Sequence, residues 1–198
     1  MSLVRAFLAI PLPQQLKESI SKVQRDLQAQ IPDARWTRPE NLHLTLHFFG
    51  ETTQETLEKI RVSVLSVKNC QRPFVVEVKA LGVFPNQHRP RIIWLGLEPK
   101  DLLRQLHSSC RKYLRQAGVA TESRTYSPHL TIGRLKKVAT DRLRQQNTDL
   151  VDLFDSVGQT VIGQLPVDKL ILFESRLHSG GSEHIPLLTV NLDEINNP

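Results

Sequence analysis

Two copies of one tripeptide, His-Leu-Thr, carry the residues of this chain that are best suited to chemistry. They are His43-Leu44-Thr45 and His129-Leu130-Thr131. An imidazole has an unperturbed pKa of about 6.5 and can take or give a proton at neutral pH. A threonine hydroxyl can donate a hydrogen bond to a phosphate oxygen. Such a pair suits phosphodiester cleavage, because one group must take a proton from the attacking water and another must give one to the leaving alkoxide.

Both tripeptides lie in segments that have the pattern of a β-strand. Alternate side chains of a strand point to opposite faces, so His43 and Thr45 should share one face while the neighbouring leucines are buried. The same holds for His129 and Thr131. The alternation also puts His47 on the face of His43, where we expect it at the edge of a cleft and outside the chemistry.

One histidine followed two places later by Thr or Ser is weak evidence, since a chain of this length contains about one by chance. The segment His107-Ser108-Ser109 is such a case. It lies in a helical pattern, in which positions i and i+2 do not share a face. A single buried histidine is usually a structural residue with satisfied hydrogen bonds. The interpretation of His43 and His129 therefore depends on their occurring together in one repeat.

An internal repeat relates the two tripeptides. A shift of the chain by 86 positions aligns them without a gap and also aligns the helical patterns that precede them, Leu16 with Leu102 and Ile20 with Leu106. The repeat predicts two related lobes, over about 4–68 and 90–154, with strands at 158–192 completing the sheets. We therefore expect residues 1–198 to form a single bilobal domain, in which each lobe presents one His-x-Thr strand to a shared cleft.

The remaining patterns predict a mixture of strands and helices. Strands are predicted at 4–12, 42–49, 74–78, 91–97, 129–135, 160–165, 169–173 and 184–190, with a short extended piece around Trp36. Apolar residues at helical spacing predict helices around 16–27, 57–65, 102–113 and 143–154, the third of them ended by Gly118.

The composition is typical of a folded globular protein, with 39% hydrophobic and 23% charged residues. The formal net charge of +6 and pI of about 9.6 favour a polyanionic partner, although charge alone is weak evidence for RNA. Two cysteines, Cys70 and Cys110, without metal-ligand spacing, and no apolar run approaching a membrane span, indicate the cytoplasm. No acidic cluster or histidine spacing resembles a ligand set, so we expect no metal and no cofactor.

Four segments together resemble the two-histidine (2H) phosphoesterases, and among these the LigT-like RNA 2′,3′-cyclic phosphodiesterases. They are Arg-Pro-Glu-Asn-Leu-His-Leu-Thr-Leu at 38–46, Ser-Pro-His-Leu-Thr-Ile-Gly-Arg at 127–134, Arg-Ala-Phe-Leu-Ala-Ile-Pro-Leu-Pro at 5–13 and Arg-Pro-Arg-Ile-Ile-Trp-Leu-Gly at 89–96. The resemblance implies an α+β bilobal LigT-like fold, with two pseudo-twofold-related lobes, antiparallel sheets lining a central cleft and helices outside. It also implies metal-independent hydrolysis of RNA 2′,3′-cyclic phosphate ends to 2′-phosphomonoesters, and in some members reversible 2′–5′ RNA ligation.

The resemblance further implies the roles of individual residues. It makes His43 the proton donor to the leaving 3′-oxygen and His129 the proton acceptor from water, with Thr45 and Thr131 binding the phosphate. Because the two lobes are pseudo-symmetric, the sequence leaves the assignment of acid and base open.

Two further site residues have alternatives. Arg134 matches a family arginine near the phosphate, yet strict alternation points it away from His129, so contact requires a bulge at Gly133 or the end of the strand. Otherwise it is an exposed basic residue. Tyr126 is a candidate for stacking on an unpaired base, or else an ordinary half-buried tyrosine.

The expected partner is RNA with a 2′,3′-cyclic phosphate end, with tRNA-derived RNA as a candidate source. We expect no membrane partner, and a monomer, because two lobes complete one site. Two alternatives stay open: a phosphodiesterase for a small cyclic nucleotide or ADP-ribose cyclic phosphate, and a non-catalytic module that binds RNA ends. Two titratable imidazoles argue against the second, since binding alone does not require them. Without a recognisable nucleotide-attachment lysine motif, we do not expect energy-dependent ligation.

Overall fold

The computed structural model of the protein describes residues 3–68, 71–137, 140 and 161–192. The strands in this part of the chain are β1 Val4–Pro11, β2 Ala34–Trp36, β3 His43–Thr52, β4 Phe74–Phe84, β5 Ile92–Glu98, β6 Leu130–Leu135, β7 Gly163–Val167, β8 Lys169–His178 and β9 Gly181–Asn191. The helices are α1 Gln14–Gln30, α2 Gln54–Val67 and α3 Lys100–Gln116, with a 3₁₀ turn at Pro39–Asn41.

The strands described form two antiparallel sheets. One has four strands in the order β3-β1-β8-β9, and the other has five in the order β2-β6-β5-β4-β7. Each His-x-Thr segment thus belongs to a different sheet: β3 carries the first, and the second lies where β6 begins. This agrees with the predicted α+β architecture of two lobes.

The helices begin and end where the sequence provides a signal. Thr53 caps α2, its hydroxyl accepting from the Thr56 amide at 3.2 Å. Gly118 follows the end of α3 with φ of +72°, a conformation that glycine adopts without strain. The buried side chains of α1 include Leu16, Ile20 and Leu27, which share one helical face as predicted.

Two helices pack across the repeat. α1 follows a strand of the four-stranded sheet but lies against β6 and β7 of the other sheet. α3 follows β5 of the five-stranded sheet, and its His107 packs on His47 of β3. Each His-x-Thr strand is therefore supported by a helix from the other half of the chain. The buried Gln24 of α1 shows this, since its Nε2 donates to the carbonyls of Thr37 and Ile132, both at 2.8 Å.

Most predicted elements are confirmed, and several strands are longer than predicted. β4 continues to Phe84 because Ala80, with φ of +63°, is an extra residue that interrupts the alternation without ending the strand. The helix predicted around 143–154 lies outside the described residues. So does Thr160, the first residue of the strand predicted at 160–165. None of the helices described combines the length and apolar character needed to cross a membrane.

Candidate active site

A cavity of about 820 Å³ lies where the two His-x-Thr strands meet. His43, Thr45, His129, Thr131 and Arg134 all line it. The structure therefore brings together five of the six residues predicted for the site. Their chemical roles stay predictions.

The two histidines are held in the same way. Nδ1–H of His43 donates to the Asn41 carbonyl at 2.8 Å, and Nδ1–H of His129 donates to the Ser127 carbonyl, also at 2.8 Å. A carbonyl oxygen can only accept, so Nδ1 carries the proton in each ring. Nε2 of each imidazole is then the atom available to take a proton or, when protonated, to give one.

The surroundings of the two imidazoles differ. The His43 ring lies 4.7 Å from the ring of Phe7 and 5.0 Å from that of His184 between centroids, whereas His129 meets the edge of Phe84 at 5.0 Å. Burial lowers the pKa of His43 to about 4, with repulsion from His184 acting in the same direction and the hydrogen bond to Asn41 opposing both effects. In these surroundings, His43 is therefore uncharged at neutral pH.

β3 contains a bulge immediately after Thr45. Thr45 and His47 face consecutive residues of β1, which makes Leu46 an extra residue. A bulge reverses the alternation beyond it. His47 is therefore only 5% exposed, on the face away from the cavity, and the expectation that it lies at the cleft edge is wrong. Phe48, 44% exposed, lines the cavity instead.

β6 contains the matching bulge. Thr131 and Gly133 face consecutive residues of β5, so Ile132 is extra. Beyond it Arg134 turns into the cavity that His129 and Thr131 line. The sequence predicted that Arg134 could reach the side of His129 only through a bulge at Gly133 or at the end of the strand. The structure has the bulge one residue before Gly133, at Ile132. Binding of phosphate by Arg134 stays a prediction.

Tyr126 lies outside the cavity lining. Its ring is stacked on His107 with centroids 4.2 Å apart and planes 1° apart, and its hydroxyl donates to the Thr45 carbonyl at 3.0 Å. Burial raises the pKa of the phenol. This placement favours the half-buried structural tyrosine over the base-stacking residue. The hydroxyl also ties the segment before His129 to the strand that carries Thr45.

Several residues of the cavity were not found from the sequence. They are Arg5 and Phe7 of β1, Arg35 to Arg38 around β2, Asn41, and seven residues around the β8–β9 turn: Ser175, Leu177, His178, Gly180, Gly181, Ser182 and His184. Period-two alternation within β1 could have paired Arg5 with Phe7 on one face. The β8–β9 residues carried no such signal, because their place beside β1 is set by long-range strand pairing. Among the described residues, no group of three or more His, Cys, Asp and Glu is arranged to hold a metal ion.

Comparison with protein families gives two matches to one model. A family model described as LigT like phosphoesterase matches residues 10–94 and again residues 95–182. The double match supports the two related lobes. The narrower repeat bounds of 4–68 and 90–154 stay a prediction.

Curated relatives match most of the chain. A protein of Methanothermobacter thermautotrophicus is 33% identical over 179 residues, covering 90% of this chain and 93% of its own length. A protein of Methanocaldococcus jannaschii is 32% identical over 178 residues, covering 90% and 95%. Both are named RNA 2′,3′-cyclic phosphodiesterase.

Solved structures share the fold. Escherichia coli LigT complexed with 3′-AMP superposes with a TM-score of 0.74 at 25% identity, covering 98% of this chain and 100% of that one. A protein of Thermus thermophilus gives a TM-score of 0.75 at 22% identity, over 95% and 97% of the two chains. The predicted bilobal fold is confirmed.

Proposed function

Because the chain belongs to the LigT-like phosphoesterase family, we propose that it hydrolyses the 2′,3′-cyclic phosphate ends of RNA to 2′-phosphomonoesters by metal-independent general acid and base catalysis. The family resemblance seen in the sequence is thereby confirmed. The observation that carries the proposal is the matched pair of imidazoles. Each fixes Nδ1–H on the carbonyl two residues earlier, and both line one cavity.

The proposed reaction is an in-line displacement at phosphorus. Nε2 of His129 takes a proton from water as the water oxygen bonds to phosphorus, and the bond from phosphorus to the 3′-oxygen breaks. Nε2–H of His43 gives its proton to that oxygen, which leaves a 3′-hydroxyl and a 2′-phosphate. Thr45 and Thr131 hydroxyls, with Arg134, donate to the non-bridging oxygens and hold the phosphorus between the imidazoles. Exchange of protons with solvent restores both rings.

The donor role requires His43 to gain a proton when substrate binds. Burial lowers its pKa to about 4, but an anionic phosphate beside the ring favours the imidazolium. Substrate binding should therefore be coupled to proton uptake near neutral pH. A 5′-hydroxyl in place of water at the same step would join two strands through a 2′–5′ linkage, which gives the proposed ligation activity.

The test is turnover of a short RNA bearing a 2′,3′-cyclic phosphate in EDTA, with the product assigned by phosphorus NMR. We expect a 2′-phosphate from the wild type and at least about a hundredfold loss in His43→Ala and in His129→Ala. The exposed loop variant His88→Ala is the matched control. Loss of wild-type activity in the chelator, or full activity in either catalytic variant, would refute the mechanism.

A bridging-sulfur substrate separates acid from base. When the 3′-oxygen of the cyclic phosphate is replaced by sulfur, the thiolate leaves without needing a proton. This substrate should restore the rate of the variant that lacks the acid and leave the other variant slow. Restoration of His43→Ala alone supports His43 as donor, and restoration of His129→Ala alone reverses the roles.

The proposal includes a monomer acting in the cytoplasm, with tRNA-derived ends among the candidate substrates. Both halves of the site come from one chain, which supports a monomer. Sedimentation should give a mass near the 22.6 kDa of one chain. A stable dimer would contradict this part of the proposal and leave the chemistry unchanged.

A further inference from the structure

One end of the cavity holds three arginines, of which the proposed reaction uses only Arg134. Arg35 of β2 is paired directly opposite Arg134 of β6, and Arg38 follows two residues after β2. All three side chains line the cavity. We call Arg35 and Arg38, with the β8–β9 turn at 178–182 that faces them, the arginine end.

The arginine end is built by close packing. Trp36 lies between the two arginines in sequence and is paired with Gly133; a Cβ on Gly133 would come 3.0 Å from the Trp36 ring. The absence of a side chain at Gly133 therefore lets the Trp36 indole pack directly on β6, and this packing holds β2 in place. On the far side, Nη2 of Arg38 donates to the Gly180 carbonyl at 2.9 Å. Asn41 Nδ2 donates to the Ser182 carbonyl, also at 2.9 Å.

Among the described residues, no acidic side chain lines the cavity at this end. No Asp or Glu is among the residues that line the cavity, and no ion pair found there involves Arg35, Arg38 or Arg134. Glu183, in the β8–β9 turn region but outside the cavity lining, contacts His178 at 3.1 Å between Oε2 and Nε2. Like charges directly opposite each other on neighbouring strands are destabilising. An anion between the guanidiniums would offset that repulsion. A guanidinium has five N–H donors, and within the described part of the chain only one hydrogen bond of Arg38, to the Gly180 carbonyl, is already made.

The position of the arginine end relates it to the next phosphate of a strand. Because Ile132 is an extra residue, Thr131 and Arg134 pair with Trp94 and Ile92, which are two residues apart on β5 and therefore about 7 Å apart along the sheet. Neighbouring phosphates of a single RNA strand are separated by a distance of the same order, which long arginine side chains can span. An RNA whose terminal phosphate lies at His43 and His129 could thus present its next phosphate to Arg35 and Arg38.

We infer that Arg35 and Arg38 form a second phosphate subsite, which binds the phosphate on the 5′ side of the terminal nucleotide. This inference rests on the proposed function. It makes the preferred substrate an oligonucleotide, or a nucleotide with a 5′-phosphate, over a plain cyclic mononucleotide. The shared chemistry is an anionic phosphate on the 5′-oxygen, either as an internucleotide diester or as a terminal monoester.

Four substrates test the subsite. They are a 2′,3′-cyclic mononucleotide, the same compound with a 5′-phosphate, a dinucleotide with a 2′,3′-cyclic end, and that dinucleotide with a neutral methylphosphonate linkage. In the wild type we expect kcat/KM for the charged dinucleotide to exceed that for the neutral one at least about tenfold, the lower range for a hydrogen bond to a charged group. Comparison of the cyclic mononucleotide with and without its 5′-phosphate shows whether the subsite also binds a monoester or binds only a diester.

The variants are Arg35→Gln, Arg38→Gln and the double variant, with Arg89→Gln of the exposed β4–β5 loop as the matched control. In the double variant the preference for the charged dinucleotide should vanish, while kcat/KM for the cyclic mononucleotide changes less than about threefold. An equal loss on all substrates would overturn the inference, since the arginines would then serve the reacting phosphate or the fold. An unchanged preference would overturn it as well.

A binding measurement separates this inference from the proposed function. Calorimetric titration with dinucleotides ending in a 2′-phosphate, one with a charged and one with a methylphosphonate linkage, reports the subsite without turnover. Discrimination that depends on Arg35 and Arg38 supports the subsite even if no cyclic phosphate is hydrolysed. Hydrolysis without any discrimination supports the function and refutes the subsite.

Discussion

The buried pair His47 and His107 predicts how acid destabilises this protein. Their rings are stacked with centroids 4.2 Å apart, and Nε2–H of His47 donates to the His107 carbonyl at 3.2 Å. Both are less than a tenth exposed. The pKa of each histidine is lowered to about 4, chiefly by burial. Repulsion from Arg111 acts in the same direction on both histidines, and repulsion from His47 does so on His107. We propose His107→Phe as the perturbation, because phenylalanine keeps a planar ring between His47 and Tyr126.

The sign of the effect follows from the direction of the pKa change. Above about pH 6.5 both the folded and unfolded forms of each histidine are neutral, and their contribution to stability is fully present. Between about pH 6.5 and pH 4 the unfolded chain binds a proton that the folded protein does not. Stability therefore falls as the pH is lowered. From about pH 7.5 to about pH 5, one such histidine removes about 2 kcal/mol from the free energy of unfolding.

The assay is urea unfolding followed by the fluorescence of Trp36 and Trp94 at the two pH values. Acidification should destabilise His107→Phe by about 2 kcal/mol less than the wild type, which corresponds to about 1 M in the urea midpoint. Contributions from His43 are common to both proteins and cancel in this difference. His88→Phe, in an exposed loop, is the control and should follow the wild type. Parallel losses in His107→Phe and the wild type would refute the argument.

Three further substitutions test hydrogen bonds on which the fold depends. Tyr126→Phe keeps the ring on His107 but removes the donor to the Thr45 carbonyl, so the free energy of unfolding should fall by about 1 kcal/mol in a urea titration; an unchanged midpoint would contradict the contact. Gln24→Met removes the donor shared by the carbonyls of Thr37 and Ile132 and should cost about 2–3 kcal/mol in the same assay, more than Gln28→Met on the exposed face of α1. Thr53→Ala removes the cap of α2 and should cost about 1 kcal/mol, measured by thermal unfolding monitored by circular dichroism; restoration by Thr53→Ser would identify the hydroxyl as the cause.

The sequence was sufficient to locate the two histidines and their threonines because both tripeptides lie at the start of a strand. Over those three residues the alternation of side chains is regular, so the residues that share a face can be read directly. The repeat then related two distant segments that local patterns could not connect. The bilobal architecture follows from the same comparison, since each half contains a strand, a helix and a His-x-Thr strand in one order.

The prediction was wrong for His47 because a bulge is a property of paired strands. Leu46 is extra only relative to β1, and nothing within β3 distinguishes it from an ordinary strand residue. Arg35 and His184 were missed for a related reason. β2 reaches the cavity by pairing with β6, which lies far along the chain. β9 reaches it because its hairpin partner β8 pairs with the distant strand β1.

The two bulges explain how a symmetric fold provides an asymmetric site. They occur at corresponding positions, after Thr45 and after Thr131, and turn the corresponding residues Phe48 and Arg134 into the cavity. One lobe thus offers an aromatic ring where the other offers a guanidinium. The backbone frame is repeated, while the side chains that it presents differ.

The sheets extend this asymmetry beyond the repeat. β8 and β9 are 10 and 11 residues long, and their turn reaches the cavity and brings His184 against His43. At the corresponding place in the other sheet, β7 has only 5 residues, and none of them lines the cavity. His43 is consequently enclosed by Phe7 and His184. Burial among these rings lowers the pKa of His43 to about 4, so its proposed role as proton donor depends on the proton uptake that a bound anionic phosphate favours.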